Sequence, residues 1–185
     1  MQPFVTRLVE ASGASAPKRR TLLERTYDAQ VCSVARALEV VGERWTLLIV
    51  RDAFQGVRRF EDFQRRLRLA RNILADRLQR LVAAGVFERT RYQERPERFE
   101  YRLTEAGHDL WPAIVALRSW GDRHMAPAGP PVRLEHRGCG GEVEHRVVCA
   151  GCGQALRARD AAMLPGPGAP PAAPEPVPAG AGTAS

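Results

Sequence analysis

The sequence lacks any apolar run of about 18 residues, the length that a helix needs to cross a membrane. Its first residues also lack the apolar centre of a secretory signal peptide, because Arg7 and Glu10 interrupt them. We therefore expect a cytoplasmic protein that makes no use of a membrane.

Cysteine is scarce, with four residues among 185. In a reducing compartment, cysteines serve as thiols or metal ligands rather than as disulfides. Aromatic residues make up only 6% of the chain, but the hydrophobic fraction of 44% is sufficient for one packed domain with appendages.

Lysine and histidine are both absent between Val57 and Leu103. That stretch contains thirteen arginines and seven acidic residues, so it carries +6 of the chain's formal net charge of +7. Positive charge that is concentrated in one motif is typical of a surface that binds nucleic-acid phosphates.

The same stretch has the layout of a winged helix-turn-helix. Glu61–Leu67 forms a predicted short helix, and Arg71–Ala84 a second, well-patterned helix that ends at Gly85. Two short runs of β-forming residues follow, Val86–Thr90 and Phe99–Leu103. Two helices joined by a tight turn and followed by a β-hairpin predict a mainly α (α+β) fold with a small β wing.

The second helix of this motif predicts a DNA-reading surface. Its apolar residues recur at helical spacing and should face inward: Leu74, Leu78, Leu81 and Val82. Polar residues occupy the opposite face, where arginine and asparagine can pair with base edges in the major groove, although an ordinary solvated face has the same pattern. The loop between the strands is either a DNA-contacting wing or a solvated hairpin tip. The candidate DNA-binding residues are Arg71, Asn72, Asp76, Arg77, Gln79, Arg80, Arg91, Arg95 and Arg98.

Helical spacing also predicts elements on both sides of the motif. One helix runs from Cys32 and ends at Gly42, and a second, heavily apolar helix covers Arg44–Ala53. A short strand is expected over Val57–Phe60. A long helix with a wide apolar stripe is predicted over Thr104–His124.

Four segments together resemble the HxlR-type transcriptional regulators, bacterial relatives of the MarR group. They are Cys32–Ile49, Phe60–Phe63, Asn72–Leu78 and Tyr101–Gly107, in the same order, and the resemblance spans roughly Tyr27–Met125. It implies a homodimeric winged-helix transcription factor whose terminal helices form the dimer interface.

Three positions bear on how far the resemblance extends. Ser33 and Ala70 depart from residues common in the family, and alanine caps a helix about 1 kcal/mol less well than serine.

In some members of the family, a cysteine at the position of Cys32 senses oxidants or electrophiles. A helix N-terminus stabilises a thiolate, so Cys32 is a candidate redox sensor, and the alternative is an inert, half-buried cysteine.

A second motif follows the predicted DNA-binding unit. His136 and Cys139 are separated by two residues, as are Cys149 and Cys152, and a glycine follows each pair. Two such turns bridged by a strand over Glu142–Val148 predict a zinc-ribbon-like module with one structural Zn²⁺ per chain. His145 is an alternative ligand for His136, and a redox Cys-x-x-Cys or a decayed site are alternatives to zinc.

Composition divides the chain into five parts. Residues 1–26 form an extension that includes the basic cluster Lys18–Arg20, residues 27–126 the winged-helix and dimerisation domain, and residues 127–131 a linker. The zinc-ribbon-like module covers residues 132–160. Residues 161–185 are a tail rich in proline, glycine and alanine, which should be disordered.

Together these patterns predict a sequence-specific DNA-binding regulator, and the family resemblance implies that it acts as a homodimer. We take it as a repressor, although the sequence itself does not separate repression from activation. Its operator should be an inverted repeat, and its signal a small-molecule effector or thiol oxidation. We expect no enzymatic activity. Two other readings remain open at this stage: a thiol oxidoreductase using Cys149 and Cys152, and an RNA-binding zinc-ribbon module.

Overall fold

The computed structural model describes residue 27 and residues 30–170. It has a helical domain with one two-stranded antiparallel sheet, followed by a C-terminal segment of turns. The elements are α1 (Ser33–Val41), α2 (Thr46–Phe54), α3 (Phe60–Leu67), α4 (Arg71–Ala83), β1 (Phe87–Gln93), β2 (Arg98–Leu103), α5 (Glu105–His108), α6 (Trp111–His124) and a 3₁₀ turn (Ala158–Asp160).

The hydrophobic core lies around the inner face of α4. Leu74, Leu78 and Leu81 are fully buried there, as their spacing predicts, and Val82 is partly buried against them. Phe63 of α3 meets Phe87 of β1 edge to face, with ring centroids 6.5 Å apart. The buried cluster consists of Ile49, Val50, Val57, Phe63, Leu67, Leu69, Leu74, Leu78, Leu81, Val86 and Phe87.

The two ends of α4 agree with the sequence. Ala70 precedes the helix and makes no capping hydrogen bond through its side chain. At the other end, Gly85 has a φ of +71°, which favours glycine, and the backbone N–H of Val86 donates to the carbonyl of Leu81 at 2.9 Å. This closing turn directs the chain from the helix into the wing.

The wing is longer than predicted. β1 and β2 pair from Phe87 opposite Leu103 to Gln93 opposite Arg98, with an irregularity after Arg91. Cross-strand pairing therefore extends into the polar segment, and the predicted loop from Arg91 to Arg98 shortens to residues 94–97. Polar residues can pair in a ladder as well as apolar ones, so composition underestimated the strands.

The short strand predicted over Val57–Phe60 is wrong in extent. Only Arg59 forms a bridge, opposite Glu100, while the N–H of Tyr101 donates to the carbonyl of Arg58 at 2.7 Å. Helix α3 already begins at Phe60, which limits the pairing to a single bridge beside the wing.

A buried carboxylate joins α2 to α3. Asp52 is fully buried, and its oxygens meet the guanidinium groups of Arg51 at 2.8 Å and Arg66 at 3.3 Å. A buried carboxylate requires such partners. Helix α2 itself begins at Thr46 rather than at Arg44, because Trp45 adopts a left-handed conformation with φ of +79°.

The long helix predicted over Thr104–His124 is two helices. Thr104 caps α5 through a hydrogen bond that Gly107 N–H donates to its hydroxyl at 3.2 Å, and the chain turns before α6 begins. Pro112 lies in the first turn of α6, where the missing N–H has no helical partner. The apolar stripe that predicted the helix, Leu110, Ile114 and Leu117, starts at the N-cap of α6, so it did not reveal the break before it.

The segment after α6 has a different character. Residues 127–170, all of which the structure describes, contain no buried residue. The strand predicted over Glu142–Val148 is wrong, because its ends form isolated bridges within two separate turns. The expectations for residues 1–26, for Lys18–Arg20 and for residues 171–185 concern positions outside the described residues. Among the described helices, none is long and apolar enough to span a bilayer.

Replacing Leu78 tests the core assignment. Leu78→Ala should lower the free energy of unfolding by about 2–5 kcal/mol, because it leaves a cavity among fully buried side chains. Chemical denaturation measures this change. Leu164→Ala is the matched control, since Leu164 is 82% exposed and its loss should change the value by less than about 0.5 kcal/mol. Equal effects of the two substitutions would contradict the assignment of Leu78 to the hydrophobic core.

Candidate nucleic-acid interface

The outer face of α4 carries most of the residues predicted to contact DNA. Arg71, Asn72, Asp76, Gln79 and Arg80 are all exposed, because the leucine face of the same helix is buried. The first turn of α4 contains no acidic residue. The partial positive charge of the helix N-terminus therefore adds to that of Arg71.

Arg71 is held in place by an aromatic ring. Its guanidinium carbon lies 4.9 Å from the centroid of Phe60, the first residue of α3. A cation–π contact of this kind orients an arginine while its N–H donors stay free for other partners. Asn72 follows it in the same exposed turn.

Farther along α4, the charges partly compensate each other. Asp76 forms an ion pair with Arg80 at 3.1 Å, one turn later. This exposed pair contributes little to stability, of order 0.3–0.5 kcal/mol, and it can exchange for other partners. The net charge of the face therefore resides mainly at its N-terminal end.

Arg77 differs from the other candidates, because its side chain is mostly covered, although it also forms an ion pair with the neighbouring Asp76. Its side chain is only 15% exposed and its guanidinium meets Glu43 at 2.9 Å. The same group donates to the carbonyl of Arg44 at 3.4 Å. These contacts join α4 to the turn between α1 and α2, which is a structural position.

The wing presents three further candidate arginines. Arg91 lies near Glu94 and Glu97 at 3.7 and 3.5 Å, long distances for exposed groups. Arg95 and Arg98 are exposed, and neither forms an ion pair with another of the described residues. The wing therefore retains positive charge at its tip despite its glutamates.

Two further arginines belong to this surface and were not among the sequence candidates. Arg89 of β1 stacks on Phe99 of β2, 3.4 Å from the ring centroid, and Arg59 stacks on Tyr92 at 4.7 Å. The period-2 spacing of Arg89 and Arg91 along a strand would have placed both on one face. Arg59 gave no comparable signal, because its partner is distant in sequence.

An open groove of about 410 Å³ lies between α4, the start of α3 and the wing. Three arginines and four aromatic rings line it. The lining residues are Phe60, Glu61, Arg71, Ala75, Arg89, Tyr92, Glu97, Arg98, Phe99 and Tyr101. A cationic, aromatic-lined groove beside an exposed helix face suits a nucleic-acid backbone better than a small apolar ligand.

The remaining candidate residues lie elsewhere. Cys32 is exposed and immediately precedes α1. His136 and Cys139 form one pair, with Nδ1 and Sγ 3.2 Å apart. Within the described part of the chain, no three His, Cys, Asp or Glu side chains form a group that could hold a metal ion. The four-residue zinc site therefore stays a prediction.

Cys149 has a distinctive hydrogen-bond environment. The backbone N–H of Cys152, then that of Gly151 and the thiol of Cys152, donate to its sulfur and hold the pKa of this thiol below its ordinary value. Hydrogen bonds to sulfur favour the thiolate over the thiol. Thiolate is the form that binds metals and also the form that attacks disulfides.

Known proteins with similar sequences share the helical domain. A family model described as HxlR-like helix-turn-helix matches residues 40–128. The uncharacterized HTH-type transcriptional regulator Rv3095 of Mycobacterium tuberculosis is 53% identical over 137 residues, which cover 74% of this chain and 87% of that protein. YdeP of Bacillus subtilis, also an uncharacterized HTH-type transcriptional regulator, is 30% identical over 98 residues, covering 52% of this chain and 77% of that one.

Two solved structures share the fold. The crystal structure of PA1607, described as a transcription factor, has a TM-score of 0.67 and 46% identity, and the match covers 72% of this chain and 94% of that one. A transcription factor from Pseudomonas aeruginosa, PA1374, has a TM-score of 0.56 and 41% identity over 76% of this chain and 96% of that one.

Proposed function

Because the chain belongs to the HxlR-like helix-turn-helix family of transcriptional regulators, we propose that it binds operator DNA as a homodimer and represses transcription. The observation that carries the proposal is the joint placement of Arg71 and Asn72 at the exposed start of α4, beside the arginine-lined groove. Repression follows if the dimer covers a promoter and excludes polymerase. A reporter gene under the operator tests that step.

In this proposal, α4 enters the major groove. Arg71 can donate two hydrogen bonds to a guanine, and Asn72 can pair with an adenine, which are the preferred partners of these side chains. Arg89, Arg95 and Arg98 contact the phosphates that flank the site, so they position the protein without reading sequence. The asymmetry between reading and positioning residues makes the proposal testable.

The dimer is proposed to form through α1 and α6. Each helix buries a single residue, Ala35 and Val115, and leaves larger apolar side chains in solvent. The exposed residues include Val34 and Leu38 on α1 and Leu117 and Trp120 on α6, with Met125 directly after it. A second copy of the chain is the occupant that also satisfies a two-fold operator, with half-sites one helical turn, roughly 34 Å, apart.

We further propose that the chain acts on duplex DNA in the cytoplasm and is not an enzyme. The transcriptional regulators that share its domain support this assignment over a thiol oxidoreductase. Major-groove reading by a helix requires B-form DNA, because the major groove of an RNA helix is too narrow for side chains. Competition between operator duplex and structured RNA separates the DNA proposal from an RNA-binding one.

Base preference should depend on the first turn of α4. Arg71→Ala and Asn72→Ala should each reduce the discrimination between operator and single-base variants by about 1–3 kcal/mol at the position contacted. A binding assay on an operator selected from random duplexes measures this. Arg159→Ala is the control, because this exposed arginine lies far along the chain in the C-terminal segment. If both α4 variants kept the base preference of the parent chain, α4 would not be the element that recognises the bases.

Arg95→Ala should act differently from the α4 substitutions. It should weaken binding to all sequences alike, because one phosphate contact is lost. The slope of log binding constant against log salt concentration should become less steep by about 1. Titrations at several salt concentrations measure the slope. A change confined to one base position, with an unchanged slope, would contradict the positioning role.

The dimer should dissociate when charge enters its apolar face. Trp120→Asp replaces a side chain that is 57% exposed, so the monomer should stay folded. Analytical ultracentrifugation should then give the mass of a monomer instead of a dimer. Met163→Asp is the matched control, because Met163 is fully exposed outside this face. A Trp120→Asp variant that remains dimeric would place the interface elsewhere.

We also propose that Cys32 makes DNA binding sensitive to oxidants. It is exposed next to α1, whose apolar side chains belong to the proposed dimer face. Cys32→Ser should keep operator affinity in reductant but lose the decrease that peroxide causes in the parent chain. A decrease that persists in Cys32→Ser and disappears when Cys139, Cys149 and Cys152 are replaced would assign sensing to the C-terminal segment.

A further inference from the structure

The C-terminal segment contains the same turn twice, thirteen residues apart. In the first, the N–H of His136 donates to the carbonyl of Gly141 at 2.8 Å, and the N–H of Gly140 donates to the carbonyl of His136 at 2.8 Å. In the second, Cys149 replaces His136, and the corresponding bonds from Cys149 to Gln154 and from Gly153 to Cys149 measure 2.9 and 2.8 Å.

The repetition extends beyond these bonds. Gly140 and Gly153 both have left-handed backbone, with φ of +70° and +74°, directly after Cys139 and Cys152. A bridge closes each turn on its outer side, between Glu135 and Glu142 in the first and between Val148 and Ala155 in the second. Outside each bridge lies one more hydrogen bond, from Val143 to Leu134 and from Leu156 to Val147.

Each turn presents a ligand pair for a soft metal ion. Zinc ligands at tetrahedral positions lie roughly 3.5 Å apart, given bond lengths of about 2.3 Å to sulfur and about 2.0–2.1 Å to nitrogen. The 3.2 Å between Nδ1 of His136 and Sγ of Cys139 is close to that separation. In the second turn, the backbone N–H groups of Gly151 and Cys152 donate to the sulfur of Cys149.

Burial does not account for the order of this segment. None of the residues 132–160, all described in the structure, is buried. Leu134, Val143, Cys149 and Leu156 are only partly covered, and all of them lie in or beside the two turns. Units of fewer than about 40 residues rarely fold without a disulfide, a metal or a partner, because they bury too little surface.

We propose that the two turns bind one zinc ion per chain through His136, Cys139, Cys149 and Cys152. Each turn is a half-site with two ligands, and together they supply the four that zinc prefers. Within the described residues, the two pairs do not form one group that could hold a metal ion. None of residues 143–147, which lie between the turns, is buried, so no buried side chain has to move when zinc brings the pairs together. Zinc joins them and becomes the centre of the module.

The ligand set makes this site structural. Four protein ligands fill a tetrahedral shell, so no position remains for a water molecule or substrate. The ion links segments within the module and leaves α4 and the wing unchanged, because the winged-helix core shares none of these ligands. The function of the site is therefore to fold residues 132–156, independently of DNA reading.

The repeat also decides between the two histidines. His136 occupies the position in the first turn that Cys149 occupies in the second. His145 lies between the turns, outside both hydrogen-bonded loops. His136 is therefore the fourth ligand, and His145→Ala is its matched control.

The test measures zinc in the full chain purified with reductant and without chelator. Elemental analysis should give one equivalent per chain in the parent protein, in His145→Ala and in Cys32→Ser. His136→Ala, Cys139→Ser and Cys149→Ser should fall well below one equivalent. Cobalt in place of zinc should give thiolate charge-transfer bands and the strong d–d absorption of a tetrahedral ion.

Thiol reactivity supplies the second measurement, which remains informative if a variant folds poorly. In the zinc-loaded parent chain, only Cys32 should react quickly with a thiol reagent. A mercurial that binds the three other thiols should displace one zinc ion per chain. Four freely reactive thiols and less than half an equivalent of metal would overturn the proposal. The proposal would also be overturned if metal-free protein formed a reversible disulfide between Cys149 and Cys152 while residues 132–156 stayed folded.

Discussion

Burial of the leucine face of α4 is the constraint on which the DNA-binding surface depends. Leu74, Leu78 and Leu81 have no exposed area, so the helix cannot rotate without moving at least one of them into water. Full burial of one leucine is worth roughly 1.5–3 kcal/mol, which makes the orientation far stronger than any single surface contact. The outward direction of Arg71 and Asn72 follows from this packing rather than from their own interactions.

The periodic parts of the fold were predictable from the sequence, and the parts fixed by tertiary contacts were not. The spacing of the leucines and the stop at Gly85 placed α4 correctly, because both are local signals. The division of Thr104–His124 was missed because the apolar stripe starts at Leu110, the N-cap of α6, and carries no information on the residues before it. The wing extended because cross-strand pairing continued into polar sequence that had been assigned to a loop.

In the candidate site, too, local sequence signals were predictable and tertiary contacts were not. Arg77 was among the sequence candidates, and only its contacts with Glu43 and Arg44, more than thirty positions away, show that it joins α4 to the turn between α1 and α2. Arg59 lies next to the groove because it stacks on Tyr92, which lines it. Spacing in the C-terminal segment predicted the two pairs and favoured His136 over His145, and the repeated hydrogen bonds place His136 and Cys149 at equivalent positions of the two turns.

The most direct test of the central claim is methylation interference on the selected operator duplex. If the packed leucine face directs α4 into the major groove, methylation of guanine N7 in each half-site should block binding, because N7 lies in that groove. The blocked positions should form two clusters about one helical turn apart. Interference confined to adenine N3, which lies in the minor groove, would contradict the account, because the wing alone would then contact the bases.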